Sequence, residues 1–198
     1  MSGKGSSYRP ICDSFLLAPS KVGYYGAYPN GFLQRARCLL CRMDESLLHV
    51  CAGKVRDYPG YGFGHLDKTL DVNPLLAPDY CQDARQPWAV PPQVAILIDP
   101  PYTPADAAKY GQYSMGVDFT SILPTPGELL ERAWEVLQPG GKVGLLHQFH
   151  PKLKKPDARL VAIIQVIQGA GQQPRALTIW EKEFVYINKD ARTCQERP

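Results

Sequence analysis

An apolar run that stops abruptly at an acid constrains the fold of this 198-residue chain more than any other feature. Residues 94–98 are all apolar, three of them are β-branched, and Asp99, two prolines and Tyr102 follow directly. Such a run is typical of a strand buried on both faces, and consecutive prolines cannot continue a ladder, so the strand ends at Asp99. Open α/β sheets bind ligands at the carboxyl ends of their strands. The sequence therefore predicts that Asp99 lies at a ligand-binding edge.

Composition indicates one ordinary globular domain. A hydrophobic content of 44% over 198 residues is enough for a single core. A net charge of +3 is compatible with a polyanionic partner without requiring one. No apolar run reaches 18 residues, and residues 1–7 lack the apolar block of a signal peptide. We therefore expect a cytoplasmic protein that does not bind membranes.

The six cysteines predict reduced thiols rather than a disulfide framework, given a cytoplasmic location. Cys38 and Cys41 have the spacing of metal ligands, but no second pair follows, and both fall in a segment with a helical pattern. We prefer small buried or half-buried thiols at both positions and predict no metal site.

The chain is predicted to divide into a lead-in, one domain and a tail. Residues 1–23 show no periodic pattern and contain Gly, Ser and Pro, which predicts an extended or partly disordered lead-in. The domain is placed at 24–186, and the charged tail at 187–198.

The first half of the domain shows one helical stripe and one strand. Residues 32–42 carry apolar residues at i, i+3, i+4 and i+7, with Asn30 as the N-cap and the arginines, Arg37 among them, outside the stripe. Residues 46–51 predict a strand in which His49 is a core histidine. Residues 54–64 contain several breakers and predict a loop.

Further strands and one helix follow. Residues 68–73 predict a strand ending at Asp71, whose carboxylate has two equally supported roles: binding a ribose or closing an Asx-turn. Residues 103–116 predict a long loop without a stripe. A helix over 126–137 is predicted to stop at Pro139-Gly140-Gly141. Three more strands are predicted at 142–147, 159–167 and 176–181, the last two forming a terminal hairpin.

Two motifs carry a resemblance to a known family. Asp99-Pro100-Pro101-Tyr102 and, further on, Leu137-Gln138-Pro139-Gly140-Gly141 stand after a glycine turn at residue 53. With this order of elements, residues 47–183 resemble class I S-adenosylmethionine-dependent methyltransferases. More narrowly, they resemble the Asp-Pro-Pro-Tyr type, the orphan or phage-type DNA N6-adenine methyltransferases. The resemblance implies a Rossmann-like three-layer α/β sandwich, with a mostly parallel seven-stranded sheet whose antiparallel edge is the terminal hairpin.

The resemblance also implies roles for individual residues. Asp99 and the Pro100 carbonyl would accept hydrogen bonds from an adenine N6 amine, and Pro101 would help to fix the backbone. Tyr102 would stack on the extruded base. The further substrate residues are Tyr110, Tyr113 and His147. The residues expected to bind S-adenosylmethionine are Cys51, Ala52, Gly53, Lys54, Asp71, Val72, Asp83 and Ala84.

One departure from the family pattern concerns the glycine turn. The family has two or three alternating glycines there, whereas Lys54 and Val55 follow Gly53 in this chain. Lys54 or a nearby amide is expected to meet the carboxylate of the cofactor instead. Two other functions stay open: methylation of cytosine N4, RNA or a protein amide, and a nucleic-acid-binding module that has lost catalysis.

Overall fold

The computed structural model describes residues 8–20, 24–57, 62–111, 118–169 and 172–184. Short 3-10 turns occupy Val55–Asp57 and Pro74–Leu76. In chain order, the strands and α-helices are β1 (Ile11–Leu16), α1 (Phe32–Leu40), β2 (Leu48–Val50), β3 (Lys68–Asp71), β4 (Tyr80–Cys81), β5 (Gln93–Ile98), α2 (Pro104–Tyr110), α3 (Pro126–Val136), β6 (Leu137–His147), β7 (Ala158–Ile167) and β8 (Arg175–Lys182).

The described strands form one eight-stranded sheet in the order β1-β7-β8-β6-β5-β2-β3-β4. Every neighbouring pair is parallel except the two pairs that involve β8, which runs antiparallel to both β6 and β7. The fold is therefore a Rossmann-like α/β sheet with an antiparallel hairpin, as predicted, but with eight strands rather than seven.

Helices cover both faces of the sheet, which gives the predicted three layers. Side chains alternate between the faces along a strand, so a central strand must be apolar throughout. In β5, Ala95 and Leu97 face the cluster that contains α1, whereas Ile96 and Ile98 face the cluster that contains α3. All four side chains are fully buried.

The edge of the sheet differs from the prediction. β1 pairs in parallel with β7 and lies outside the terminal hairpin, so the hairpin is not the edge. The lead-in predicted for 1–23 thus contributes a strand. Five of its six residues are exposed, which is why no burial pattern in the sequence indicated it. The tail predicted for 187–198 lies outside the described residues.

Two segments flanking α3 also differ from the predictions. Residues 104–110 form α2 rather than loop, capped by the Thr103 hydroxyl, which accepts from the Asp106 amide. Only Ala107 of this helix is buried, so it shows no stripe. Helix α3 ends directly at Leu137, which is extended, and Pro139-Gly140-Gly141 forms a bulge within β6 instead of ending the helix.

A buried ion pair ties α1 to the start of β3. The Arg37 guanidinium, predicted to face solvent, is 1% exposed and donates to Asp67 Oδ1 at 2.5 Å. Asp67 also accepts from the Leu47 and Gly64 amides at 3.0 and 2.8 Å, and its Oδ2 lies 3.1 Å from His49 Nε2. His49 is thus a core residue, as predicted, and Arg37 leaves the polar face because Asp67 neutralises it.

We expect Asp67→Ala to destabilise the protein by about 3–5 kcal/mol, because it leaves a buried guanidinium without its counter-charge. Urea unfolding at neutral pH measures this. The matched control is Asp44→Ala, which removes an ion pair to Arg42 whose side chains are 79% and 74% exposed; its cost should stay below about 1 kcal/mol. Equal destabilisation by the two variants would contradict the importance of the buried pair.

Candidate active site

A cleft of about 900 Å³, including its open mouth, lies at the carboxyl ends of β2, β3 and β5. Parallel strands place these ends at one edge of the sheet, as the sequence predicted. The residues predicted for the site that line the cleft are Cys51, Ala52, Gly53, Lys54, Asp71, Val72, Asp83, Ala84, Asp99, Pro101 and Tyr110. Pro100, Tyr102 and His147 are not in its lining, and Tyr113 lies outside the described residues.

The turn after β2 forms the floor of one half of the cleft. Cys51 and Gly53 both have φ near 53°, the left-handed region that a side chain disfavours. A Cβ on Gly53 would meet only the Tyr24 ring at ordinary contact distance, so the glycine is needed for its backbone angle rather than for space. The bend turns the amide of Gly53 towards β3.

Asp71 at the end of β3 receives that amide. Its Oδ2 accepts from the Gly53 N–H and its Oδ1 from the Asn73 N–H, both at 2.9 Å. The Asx-turn predicted as one role of Asp71 is therefore present, and the same carboxylate lines the cleft. Burial raises the pKa of Asp71, while the amides of Asn73, Gly53 and Val72 act in the opposite direction. A carboxylate offers about four acceptor positions, so two amides leave room for further donors.

Asp83 is paired within its own loop. Its Oδ2 accepts from Arg85 Nη2 at 2.7 Å, and its Oδ1 accepts from the Arg85 amide at 2.9 Å. Burial raises the pKa of Asp83, but the hydrogen bonds and charge of Arg85 outweigh it and hold the pKa below its usual value. The neighbouring Ala84 is buried, so this corner of the cleft combines a small apolar surface with an anchored carboxylate.

Asp99 stands at the other half of the cleft, directly after β5. Its amide donates to Val50 O at 3.2 Å, which joins it to the strand that precedes the Cys51–Gly53 turn. Tyr102 Oη donates to Asp99 Oδ1 at 2.7 Å. Burial raises the pKa of Asp99 to about 6, although Arg175 and Tyr102 both act to lower it. The site therefore holds a carboxyl group that titrates close to neutral pH.

Tyr102 has a different environment from the one predicted. Its hydroxyl is bound to Asp99, and its ring packs edge-on against His147 at a centroid distance of 5.1 Å. His147 is buried, its Nδ1 has no hydrogen-bond partner among the described residues, and burial lowers its pKa. Phe149 also packs against His147, at a centroid distance of 4.2 Å. These three rings form a wall beside the cleft.

Aromatic residues cover the cleft; Tyr110 among them was predicted for the site, whereas Tyr24, Tyr25, Tyr28 and Phe119 were missed. Tyr110 on α2 packs against Tyr25 and Phe119 at 5.2 and 6.5 Å, and its hydroxyl lies where a Cβ on Gly26 would stand. Tyr24, Tyr28 and Phe119 line the cleft as well. The segments that carry them show no periodic pattern, so nothing local in the sequence indicated this cover.

Arg175 was also missed. It is the first residue of β8, and its Nη1 lies 3.5 Å from Tyr102 Oη. The one available signal was a cation directly before the strand predicted at 176–181. Its Nη2 is buried without a partner among the described residues.

No metal centre is evident in the part of the chain that the structure describes, where no three His, Cys, Asp or Glu side chains are grouped to hold an ion. Cys38 is exposed, and Cys41 is partly buried beside Arg37, which donates to its Sγ at 3.5 Å. Burial raises the pKa of Cys41 to about 11, which disfavours the thiolate that a metal requires. None of the described helices is long and apolar enough to cross a membrane.

Comparisons with known proteins return structures only. No family model and no curated protein matches the chain. TrmN from Thermus thermophilus aligns at 22% identity over 70% of this chain and 44% of its own, with a TM-score of 0.45. NSun6 from Pyrococcus horikoshii aligns at 13% over 80% and 53%, with a TM-score of 0.49. An rRNA methylase from Streptococcus thermophilus aligns at 14% over 71% and 89%, with a TM-score of 0.44.

The chain thus spans about half the length of TrmN and NSun6. Because the similarities are weak, the assignment of the fold rests on the chain's own strand order and register.

The raised pKa of Asp99 predicts that Asp99→Asn stabilises the protein at high pH. An unfolded Asp titrates near 3.9, so the folded state binds this proton more tightly, and its contribution to stability is lost as the pH rises through about 6. At pH 8 we expect the variant to be about 1–3 kcal/mol more stable than the wild type, and at pH 4 this advantage should vanish. Urea unfolding at both pH values measures it.

The control for this experiment is Asp44→Asn, which changes an exposed carboxylate and should give the same small difference at both pH values. If Asp99→Asn destabilised the protein at pH 8, burial would not make the ionised carboxylate costly, and the prediction would be wrong.

Proposed function

We propose that this protein transfers a methyl group from S-adenosylmethionine to the exocyclic N6 amine of adenine in DNA. The observation that carries the proposal is that the Asp99 carboxylate and the Gly53 bend line one cleft at the carboxyl edge of a Rossmann-like sheet. A methyltransferase needs such a shared space, because the donor and the acceptor nitrogen must meet in line within it.

The charge of the cleft suits the donor. Its described lining includes three carboxylates, from Asp71, Asp83 and Asp99, of which Asp83 is paired with Arg85, and one lysine, Lys54. This balance favours a ligand with a cationic centre, and the single lysine matches the one carboxylate of a methionine moiety. When bound, S-adenosylmethionine would supply an electrophilic methyl group on its sulfonium. The open acceptor positions of Asp71 suit a pair of ribose hydroxyls.

The acceptor half of the cleft is Asp99 with the proline backbone after it. Among the described residues, only the hydroxyl of Tyr102 donates to the Asp99 side chain, so Oδ2 remains available for an amine. The resemblance assigns the second acceptor to the Pro100 carbonyl; Pro100 is buried outside the cleft lining, Pro101 lines the cleft, and the Pro101 ring restricts the backbone that carries this carbonyl. The two acceptors would hold the amine so that its lone pair points at the methyl carbon.

The proposed reaction is methyl transfer to the amine followed by loss of a proton from the methylated nitrogen. With S-adenosylmethionine bound, the nitrogen would take the methyl group as the bond from the sulfonium sulfur to that methyl group breaks, and the positively charged nitrogen would then lose one proton. The Asp99 carboxylate faces that proton and passes it to solvent, for which a pKa of about 6 is well matched at neutral pH. S-adenosylhomocysteine and the N-methylated base are the products.

The loop after β6 supports a nucleic-acid substrate by its position and composition. The loop after β6 begins at the same edge as Asp99, because β5 and β6 are parallel. It carries Phe149, which is 53% exposed, and the exposed Lys152 and Lys154. Exposed aromatic and basic side chains in one loop suit an unpaired base and its phosphates. Arg56, another basic residue near the cleft, is instead bound by Asp79.

The decisive experiment measures transfer of tritiated methyl groups to DNA, RNA and protein in parallel. Asp99→Ala should abolish transfer, by at least about 100-fold, while calorimetry finds S-adenosylmethionine affinity nearly unchanged, because Asp99 faces the acceptor. Asp44→Ala, far from the cleft, is the control and should retain full activity. Unchanged turnover in Asp99→Ala would refute the mechanism, and transfer confined to RNA or protein would refute the choice of DNA adenine.

Asp71→Asn should weaken S-adenosylmethionine binding by roughly tenfold or more, since hydrogen bonds to a charged acceptor contribute about 1.5–3 kcal/mol. Calorimetry measures the affinity, and urea unfolding separates it from any loss of stability caused by the Gly53 and Asn73 amides. If the folded wild-type protein binds no S-adenosylmethionine at all, the methyltransferase proposal fails and a nucleic-acid-binding module becomes the better hypothesis.

A further inference from the structure

Arg175 and Asp99 are joined through the hydroxyl of Tyr102. Arg175 Nη1 lies 3.5 Å from Tyr102 Oη, and that oxygen lies 2.7 Å from Asp99 Oδ1. Arg175 is at the start of β8, Tyr102 is in the loop after Pro101, and Asp99 directly follows β5. The hydrogen bond from Arg175 to Tyr102 joins residues that are 73 positions apart in the sequence. They form a chain of contacts that ends at the edge of the cleft.

The chemistry of the three groups fixes the direction of this chain. A guanidinium has donors only, so the Tyr102 oxygen must accept from Arg175. The single hydroxyl proton of Tyr102 is then left for Asp99 Oδ1. This occupies one carboxylate oxygen and leaves Oδ2, the one without a described partner, for a ligand in the cleft.

We propose that Arg175 is a positioning residue of the active site: by donating to Tyr102 it directs the tyrosine proton onto Asp99 Oδ1 and keeps the acid ionised with Oδ2 free. That Oδ2 then receives the target amine rests on the proposed function. The hydrogen-bonded arrangement itself does not depend on that function.

The charges around Asp99 support this role. The titratable and charged groups that face it are Tyr102 on its own loop, Arg175 from β8, Cys51 from the turn after β2 and Tyr110 from α2. Burial raises the pKa of Cys51 and Tyr110, so both are neutral near pH 7. Arg175 is therefore the one cation among these groups that opposes the cost of ionising Asp99.

The test measures the pKa of Asp99 by NMR on the full-length protein with labelled aspartate, from the chemical shift of the side-chain carboxyl carbon as the pH is varied. The Asp99→Asn variant identifies which resonance belongs to Asp99. Arg175→Met should raise this pKa by roughly one unit or more, the effect of removing a nearby opposite charge. Arg175→Lys, which keeps the charge, should restore most of the difference. Arg175→Gln serves in place of Arg175→Met if the methionine variant does not fold, and should shift the pKa in the same direction.

The matched control is Arg159→Met. Arg159 lies at the opposite end of the same hairpin and pairs with Glu181 and Glu183, so its removal should leave the pKa of Asp99 unchanged. The role of the tyrosine is tested in a Tyr102→Phe background, where Arg175→Met should shift the pKa less than in the wild type. If Arg175→Met left the pKa of Asp99 unchanged, or if Arg159→Met shifted it equally, the proposal would be overturned. If Arg175→Met shifted the pKa equally in the Tyr102→Phe background, Arg175 would not act through Tyr102.

Activity supplies an independent readout. Where methyl transfer is detected, the acid limb of its pH profile should move to higher pH in Arg175→Met by the same amount as the pKa, with unchanged affinity for S-adenosylmethionine. Absence of transfer in the wild type would refute the proposed function and leave the NMR result standing. A normal profile in an active Arg175→Met enzyme would refute the positioning role alone.

Discussion

The parallel ladder between β2 and β5 is the constraint on which the site depends. Val50 pairs with Ile98, and the ladder continues one step further where the Asp99 amide donates to Val50 O. Immediately after this step the two strands separate: β2 continues into the Cys51–Gly53 bend, and β5 continues into the two prolines. The last rung of a buried ladder therefore sets the separation between the two halves of the cleft, and burial of both faces of β5 keeps that rung in place.

Two carboxylates, the buried Asp67 and the half-buried Asp99, differ in how the fold compensates their charge. Asp67 has donors on both oxygens, from Arg37 and two amides, with His49 beside it, so its charge is fully compensated. Asp99 has one donor to its side chain, Tyr102, among the described residues, and its pKa is raised to about 6. The first carboxylate ties elements together at little cost. The second costs stability at neutral pH, which is typical of groups retained for chemistry.

The parts of the structure that local sequence patterns determine were predictable, and those set by distant contacts were not. β5 follows from its apolar run, and α3 from its stripe and its Thr125–Glu128 capping box. Strand β1 was not predicted because its residues are mostly exposed, and helix α2 was not predicted because it buries a single alanine. The Arg175 contact with Tyr102 spans 73 positions, so no local pattern could reveal it. The residues of the cleft floor lie where a predicted strand ends, and the resemblance to methyltransferases supplied their expected roles.

The environment of Tyr102 changes how a base would be held. A ring that packs edge-on against His147 and whose hydroxyl binds Asp99 has two fixed neighbours, so turning it over a base would break both contacts. Losing the hydrogen bond would also remove a donor that favours the ionised acid. Under the proposed function, stacking on the target would therefore fall to other rings, such as Tyr110 in the cleft lining and the exposed Phe149. Tyr102 would then act on the amine through Asp99 rather than on the base through its ring.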